Sequence, residues 1–256
     1  MKILALGDVV GTATVEYLEG RLWDLRRRES IDFVIANGEN ATDVRGVLPR
    51  DAEALLGAGV DVVTLGNHTY GMREICDFLD REVRVIRPAN YPPEAPGSGY
   101  TVAKIGGWRI LCINVCGRAF MEPLASPFET VDRILARERG AYDFAVMDIH
   151  AEATSEKLAL AYDFDGQIAV MFGTHTHVQT ADEQILPKGS GYLTDLGMCG
   201  PKNGILGTDR SAVISRFRTM MPTRFHLAEG AISAHGAIFT LDESTGRVRD
   251  VRRIVF

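Results

Sequence analysis

Short runs rich in Val and Ile, each ending in a polar or glycine-containing tip and followed by a helical segment, recur along the chain. "KILALGD" precedes Val15, Leu18, Leu22 and Leu25, whose spacing marks one helix face. "DFVIANGEN" leads through a loop to "PRDAEALLGAG", a helix that Pro49 can start and Gly57 or Gly59 can end. "DVVTLGNHTY" leads to "MREICDFLD" in the same way. Strands this apolar, alternating with helices, read as sheet strands covered on both faces.

The middle of the chain changes character. "YTVAKIGGWRILCINVCGR" reads as two strands joined at Gly106-Gly107, a hairpin signal. "YDFAVMDIH" and "QIAVMFGTHTH" resume the α/β rhythm, with "TSEKLALAY" as the helix between them and "KGSGYLTDLG" adding a strand. The end predicts an antiparallel ribbon turning at Ser244-Thr245-Gly246. The expected fold is therefore α/β, with two packed mixed β-sheets flanked by helices. No linker, low-complexity block or internal repeat divides the 256 residues, so one domain over 1–256 is expected.

Composition narrows the partners. A net charge of −6 argues against a duplex nucleic-acid binder, which would carry a basic face. Small phosphorylated substrates stay open, because metal ions or a few arginines can invert the local field. The four cysteines, Cys76, Cys112, Cys116 and Cys199, contain no C-x-x-C and read as buried free thiols in a reducing compartment. Asp8 interrupts the apolar start, and no run approaches the about 18 apolar residues that span a bilayer. A cytoplasmic protein with no membrane partner is expected, and a homo-oligomer is left open.

The tips of the runs share a chemistry. After "KILALG" comes Asp8, after "DFVIANG" come Glu39 and Asn40, and after "DVVTLG" come Asn67 and His68. After "FAVMDI" comes His150, and after "IAVMFGT" come His175 and His177. Ligands of open α/β sheets bind beyond the carboxyl ends of the strands, where all of these residues fall. Singly, Asp8 and Asn67 could be turn formers, Glu39-Asn40 solvated loop residues and His150 a satisfied core histidine. Five such coincidences at strand ends are less economical than one shared site. Within "GTHTH", residues i and i+2 of a fraying strand face the same side, so His175 and His177 can converge.

Three histidines, two carboxylates and amide oxygens are too many donors for one tetrahedral ion. The nitrogen and oxygen mixture suits Fe, Mn or Zn better than Ca or Mg. A carboxylate bridging two ions makes a two-metal site, the kind used for in-line displacement at phosphorus. No H-E-x-x-H is present, and the Rossmann and P-loop signatures lack their glycines and lysine.

The sequence resembles the calcineurin-like metallophosphoesterases, through "GD" at 7–8, "GNH" at 66–68, His150 and "GTHTH" in that order. It is more similar still to the YmdB-type bacterial 2',3'-cyclic-nucleotide 2'-phosphodiesterases, which carry "GDVVG", "NGEN", "GNHT", "RPAN", "GTHTHVQTAD" and "LPKG". Two positions depart from the broader superfamily. The usual D-x-H motif is here Asp8-Val9-Val10, and the acid that commonly follows GNH is here Thr69.

The resemblance implies a metallo-dependent phosphatase-like fold with a dinuclear site at the strand ends, holding two divalent or mixed-valence ions, iron first and Mn or Zn as alternatives. It implies that Asp8, Glu39, Asn40 and His177 hold one ion. Glu39, Asn67, His150 and His175 would hold the other, with Glu39 bridging. His68 would protonate the leaving oxygen while a metal-bridging hydroxide attacks phosphorus. The implied substrate is a 2',3'-cyclic nucleotide. A broader phosphomonoesterase or nucleotidase on the same site, or a metal-binding regulatory protein with incidental activity, are the other readings. No substrate-contacting residue can be named from the sequence.

Overall fold

The computed structural model describes residues 1–43 and 45–256. The amino-terminal repeats form β1 (Lys2–Leu6), β2 (Asp8–Val9), β3 (Phe33–Asn37), β4 (Val62–Thr64) and β5 (Val85–Ile86). The glycine hairpin joins β6 (Tyr100–Ile105) to β7 (Trp108–Cys116). Then come β8 (Phe144–His150), β9 (Val170–Thr174), β10 (Gln184–Ile185), β11 (Gly191–Leu193), β12 (Met198–Pro201) and β13 (Ile232–Ser233). The closing ribbon is β14 (His235–Leu241) and β15 (Val248–Val255). Helices α1 (Thr12–Glu19), α2 (Leu22–Glu29), α3 (Pro49–Gly57), α4 (Cys76–Leu79), α5 (Pro127–Arg137), α6 (Thr154–Asp163) and α7 (Arg210–Thr219) lie between them.

Two six-stranded sheets result, ordered β15-β14-β1-β3-β4-β5 and β10-β11-β9-β8-β7-β6. The consecutive β-α units pair in parallel, β1 with β3 with β4 and β7 with β8 with β9, while the hairpin and the ribbon add antiparallel partners. Both sheets are mixed, as the sequence predicts.

Side chains alternate across each strand, and both faces are apolar. Ile3, Ala5, Phe33 and Ile35 of the first sheet pack on Ile110, Cys112, Val146 and Phe172 of the second. The opposite faces take the helices: Leu4, Leu6 and Val34 cover Val15, Leu18 and Leu55, and Leu111, Ile113 and Met147 cover Val131, Ile134 and Leu160. Each fully buried Leu, Ile or Val removes enough apolar surface from water to contribute roughly 1.5–3 kcal/mol. This three-seam core holds the strand ends rigid, which any site built on them requires.

Two helical readings change. The face Val15, Leu18, Leu22 and Leu25 is fully buried, but the helix breaks into α1 and α2 at Gly20 and Arg21. Gly20 closes α1 by donating to Glu16 O, and glycine is a poor residue with which to continue a helix. "MREICDFLD" shortens to a 3₁₀ turn, Arg73–Ile75, running into α4. All four cysteines are free, and Cys112, Cys116 and Cys199 are buried. Among the described residues no helix is long and apolar enough to cross a membrane.

Candidate metal centre

The carboxyl ends of both sheets meet over one point. Glu39, His150 and His175 each bring a ligand atom within 4.8 Å of the others. His150 Nε2 lies 2.8 Å from Asn67 Oδ1, 3.1 Å from His175 Nδ1 and 3.2 Å from Glu39 Oε1. One ring nitrogen carries at most one proton, so it cannot satisfy three acceptors. A cation among them would take all of these lone pairs together.

The far side of each imidazole explains which way its lone pair faces. Thr174 donates its only hydroxyl proton to Asp148 at 2.7 Å, so its oxygen can only accept from His150 Nδ1, 2.9 Å away. That leaves the Nε2 lone pair of His150 aimed at the centre. His175 Nε2 faces the Glu152 carboxylate at 3.1 Å, leaving Nδ1 inward. His177 Nδ1 faces the Leu206 carbonyl at 3.3 Å, leaving Nε2 toward Asp8. Outer acceptors that fix the tautomer are what metal-ligating histidines use.

Asp8 completes this side. Its Oδ2 accepts the His175 backbone N–H at 3.0 Å. Its Oδ1 is buried with no hydrogen-bond partner, 3.7 Å from His177 Nε2. A buried carboxylate oxygen left unpaired is costly, so this atom fits a cation between itself and His177.

The electrostatics ask for positive charge. Burial raises the pKa of Asp8 above the ordinary carboxylate value. Burial would raise Glu39 as well, but the imidazoles of His150 and His68 hold it well below its usual range. Burial opposes a proton on His150, yet the charges of Glu39, Asp8 and Asp148 raise its pKa to about 9. Burial and the neighbouring His150 lower His175 to about 3. In the metal-free chain a proton on His150 thus balances the carboxylates.

The two histidines of "GTHTH" do not converge by strand alternation. β9 ends at Thr174, and His175 and His177 adopt φ of 95° and 64°. Both are in the left-handed region that non-glycine residues rarely enter, at a cost of order 1–3 kcal/mol each. Lys157 and Asp195 hold this turn. Lys157 Nζ donates to Thr174 O at 2.8 Å, and Asp195 Oδ2 accepts Thr176 N–H at 3.2 Å and its hydroxyl at 2.8 Å. Gly66 is required for a different reason. A Cβ there would lie 2.3 Å from His150 Nε2 and 2.4 Å from Glu39 Oε2.

Asn40 and His68 lie on the other side of Glu39. Asn40 Oδ1 is 2.9 Å from His68 Nδ1, so that nitrogen donates and Nε2 is left free. The Asn40 amide also donates to Glu39 Oε1 at 3.3 Å, and the His68 backbone N–H donates to Glu39 Oε2 at 2.8 Å. Thr69, in place of the usual acid, bonds Gly66 O instead and does not orient the imidazole. Asn40 supplies that orientation.

All eight residues marked out by the sequence therefore gather here. The supporting layer is not legible in the sequence: Asp148, Asn37, Thr64 and Thr174 beneath His150, and Lys157 with Asp195 beneath the turn. Lys157 and Asp148 fall within "DIHAEATSEK", but only the fold shows what they touch.

Residues 4–254 match the model of the YmdB-like protein family. The chain is 43% identical over 255 residues to the 2',3'-cyclic-nucleotide 2'-phosphodiesterase of Bacillus subtilis (strain 168), covering 100% of this chain and 97% of that protein. A crystal structure of a hypothetical protein from Thermus thermophilus superposes with a TM-score of 0.94 at 41% identity, covering 100% and 99% of the two chains. A crystal structure described as a novel phosphatase from Mycoplasma pneumoniae superposes at 0.93 with 32% identity, covering 100% and 93%.

Proposed function

This chain belongs to the YmdB-like protein family, and from that premise we propose that it is a dinuclear metal-dependent phosphodiesterase opening 2',3'-cyclic nucleotides. The observation that supports this most is the trio His150, His175 and His177. Each gives its outer nitrogen to an acceptor and turns the other toward Glu39 or Asp8. In this reading Asp8, Glu39, Asn40 and His177 hold one ion. Glu39, Asn67, His150 and His175 would hold the second, with Glu39 shared between the two. The donor set suits iron, with Mn or Zn as the other candidates. Bound there, such ions supply Lewis-acid neutralisation of the phosphoryl oxygens and lower the pKa of water.

The chain's own residues do the rest. His68, 27% exposed at its side chain, has Nδ1–H fixed on Asn40, so that its imidazolium form would offer the second proton from Nε2. Water oxygen bonds to phosphorus and sheds a proton to solvent, the bond from phosphorus to O2' breaks, O2' takes the proton of the His68 imidazolium, and solvent returns one to Nε2. The product is a nucleoside 3'-monophosphate. The whole chain, 1–256, works as one domain on a small phosphoester, and its buried free thiols agree with the reducing cytoplasm.

Metal analysis of protein purified without added metal, followed by hydrolysis of 2',3'-cAMP with product identification, tests the reading. It expects two ions per chain and 3'-AMP. Faster turnover of nucleoside monophosphates than of cyclic esters would favour a nucleotidase. No turnover of any phosphoester by the loaded protein would favour a regulatory metal protein.

A further inference from the structure

Phe120 is 94% exposed and has φ 62°, a left-handed backbone that bulky side chains rarely adopt. An aromatic ring held in solvent on a strained backbone has two costs and no packing to offset them. The loop that carries it leaves the carboxyl end of β7, where Cys116 pairs with His150 of β8. Gly117 N–H donates to His150 O at 2.9 Å, and the next N–H, of Arg118, goes to Glu156 in the first turn of α6. Phe120 follows directly on this anchor.

Tyr91 belongs to a neighbouring loop tied to the same strand end through Asn90 and Cys116. Asn90, 1% exposed, binds the two loop roots together. It donates to Cys116 O at 2.8 Å and Ala125 O at 3.1 Å, and its Oδ1 accepts from Cys116 N–H at 2.9 Å. The Tyr91 ring meets Tyr70 edge-on with centroids 5.6 Å apart. Tyr70 is two residues beyond His68 and is pinned by its hydroxyl on Pro96 O at 2.7 Å. Burial first, then the charges of Glu39 and Glu122 among others, push the Tyr91 hydroxyl up.

We propose that Phe120 and Tyr91 form the aromatic seat for the nucleobase of the substrate. The proposal rests on the reading of the centre as a cyclic-nucleotide phosphodiesterase and names the part of the site that binds the nucleoside. The phosphate lies at the metal centre and the base extends outward from it, so an exposed aromatic on a loop leaving this strand end is where a base arrives. Stacking needs only a π-face, so this seat accepts any base and favours purines by their larger area.

The test compares 2',3'-cAMP with 1-O-methylribose 2',3'-cyclic phosphate, which keeps the cyclic ester and lacks the base. Stacking of one base on an aromatic lowers affinity by roughly tenfold to a hundredfold when the ring is removed. Phe120→Ala should lower the ratio of kcat/KM for 2',3'-cAMP over the baseless ester by that factor, chiefly through KM, and Tyr91→Leu should lower it too. Phe120→Trp should restore the ratio, which a merely structural role would not predict. A ratio within twofold of the wild type in both variants overturns the seat while the phosphodiesterase reading stands. Failure of the wild-type protein to hydrolyse either cyclic ester overturns that reading and the seat together.

Discussion

Lys157 Nζ lies 2.8 Å from Asp195 Oδ2, and both residues are fully buried. The pair sits under the turn that carries His175 and His177 in left-handed conformations. Lys157 also donates to Thr174 O and Asp195 also accepts from Thr176 N–H, the peptides on either side of His175. Removing one partner leaves an uncompensated buried charge, which costs about 3–5 kcal/mol. Lys157→Met should therefore destabilise the fold by that order and weaken metal binding. Lys157→Met with Asp195→Leu removes both charges and should recover much of the stability, but not the metal affinity, because the turn loses its clamp. Denaturation of the metal-free protein, with metal titration of each variant, checks this. Wild-type metal affinity in the double variant would show that the pair serves stability alone.

The same geometry separates what the sequence shows from what it hides. Strand ends are legible because buried parallel strands read as apolar runs, and whatever polar residue terminates them is conspicuous. That is why Asp8, Glu39, Asn40, Asn67, His68, His150, His175 and His177 stand out. How they point is not legible. The left-handed φ of His175 and His177 depends on a lysine in α6 and an aspartate after β11, joined only by folding. The orienting role of Asn40 toward His68 is likewise a contact between two loops. Periodicity also hides the helix break at Gly20, because the apolar spacing continues across a turn that the backbone makes.

Glu39 should matter to both ions. Its Oε1 approaches His150 at 3.2 Å and His68 at 3.4 Å, so it faces the end of β8 and the loop after β4 at once. If it bridges, Glu39→Ala should lower both metal occupancies together, read as metal-to-protein ratio in the purified variant. His175→Ala and His177→Ala should each deplete mainly one position, since one ring faces His150 and the other faces Asp8. Loss of a single ion in Glu39→Ala would remove it from the bridge.

Metal affinity should rise with pH. The pKa of His150 is raised from 6.5 to about 9 in the metal-free chain, so that proton stabilises the fold fully below pH 6.5 and the contribution is lost as pH rises through 9. An ion needs the same Nε2 lone pair and must displace the proton. Affinity should therefore increase by up to about tenfold per pH unit between roughly pH 7 and 9 and flatten above. Calorimetry in buffers of different ionisation enthalpy should record close to one proton released at neutral pH. Affinity independent of pH over this range would mean that the ion does not displace the His150 proton.

The acid role proposed for His68 can be separated from metal binding. It follows Asn67 directly, and its Nδ1 is committed to Asn40, so only Nε2 is available. A ribose hydroxyl leaves with a high pKa and needs a proton as the bond to phosphorus breaks. General-acid assistance of this kind contributes about 10²–10⁴ in rate, or roughly 3–5 kcal/mol. His68→Ala should keep its metals and lose most turnover on cyclic nucleotides. An activated aryl ester, whose leaving oxygen needs little protonation, should lose much less. Asn40→Ala should show a milder version of the same contrast, because it frees the imidazole to rotate, though any loss of metal must be scored alongside. Equal losses of both substrates in His68→Ala with metals intact would point to positioning of the transition state instead. Loss of metal in that variant would make His68 a ligand and leave the departing oxygen without its acid.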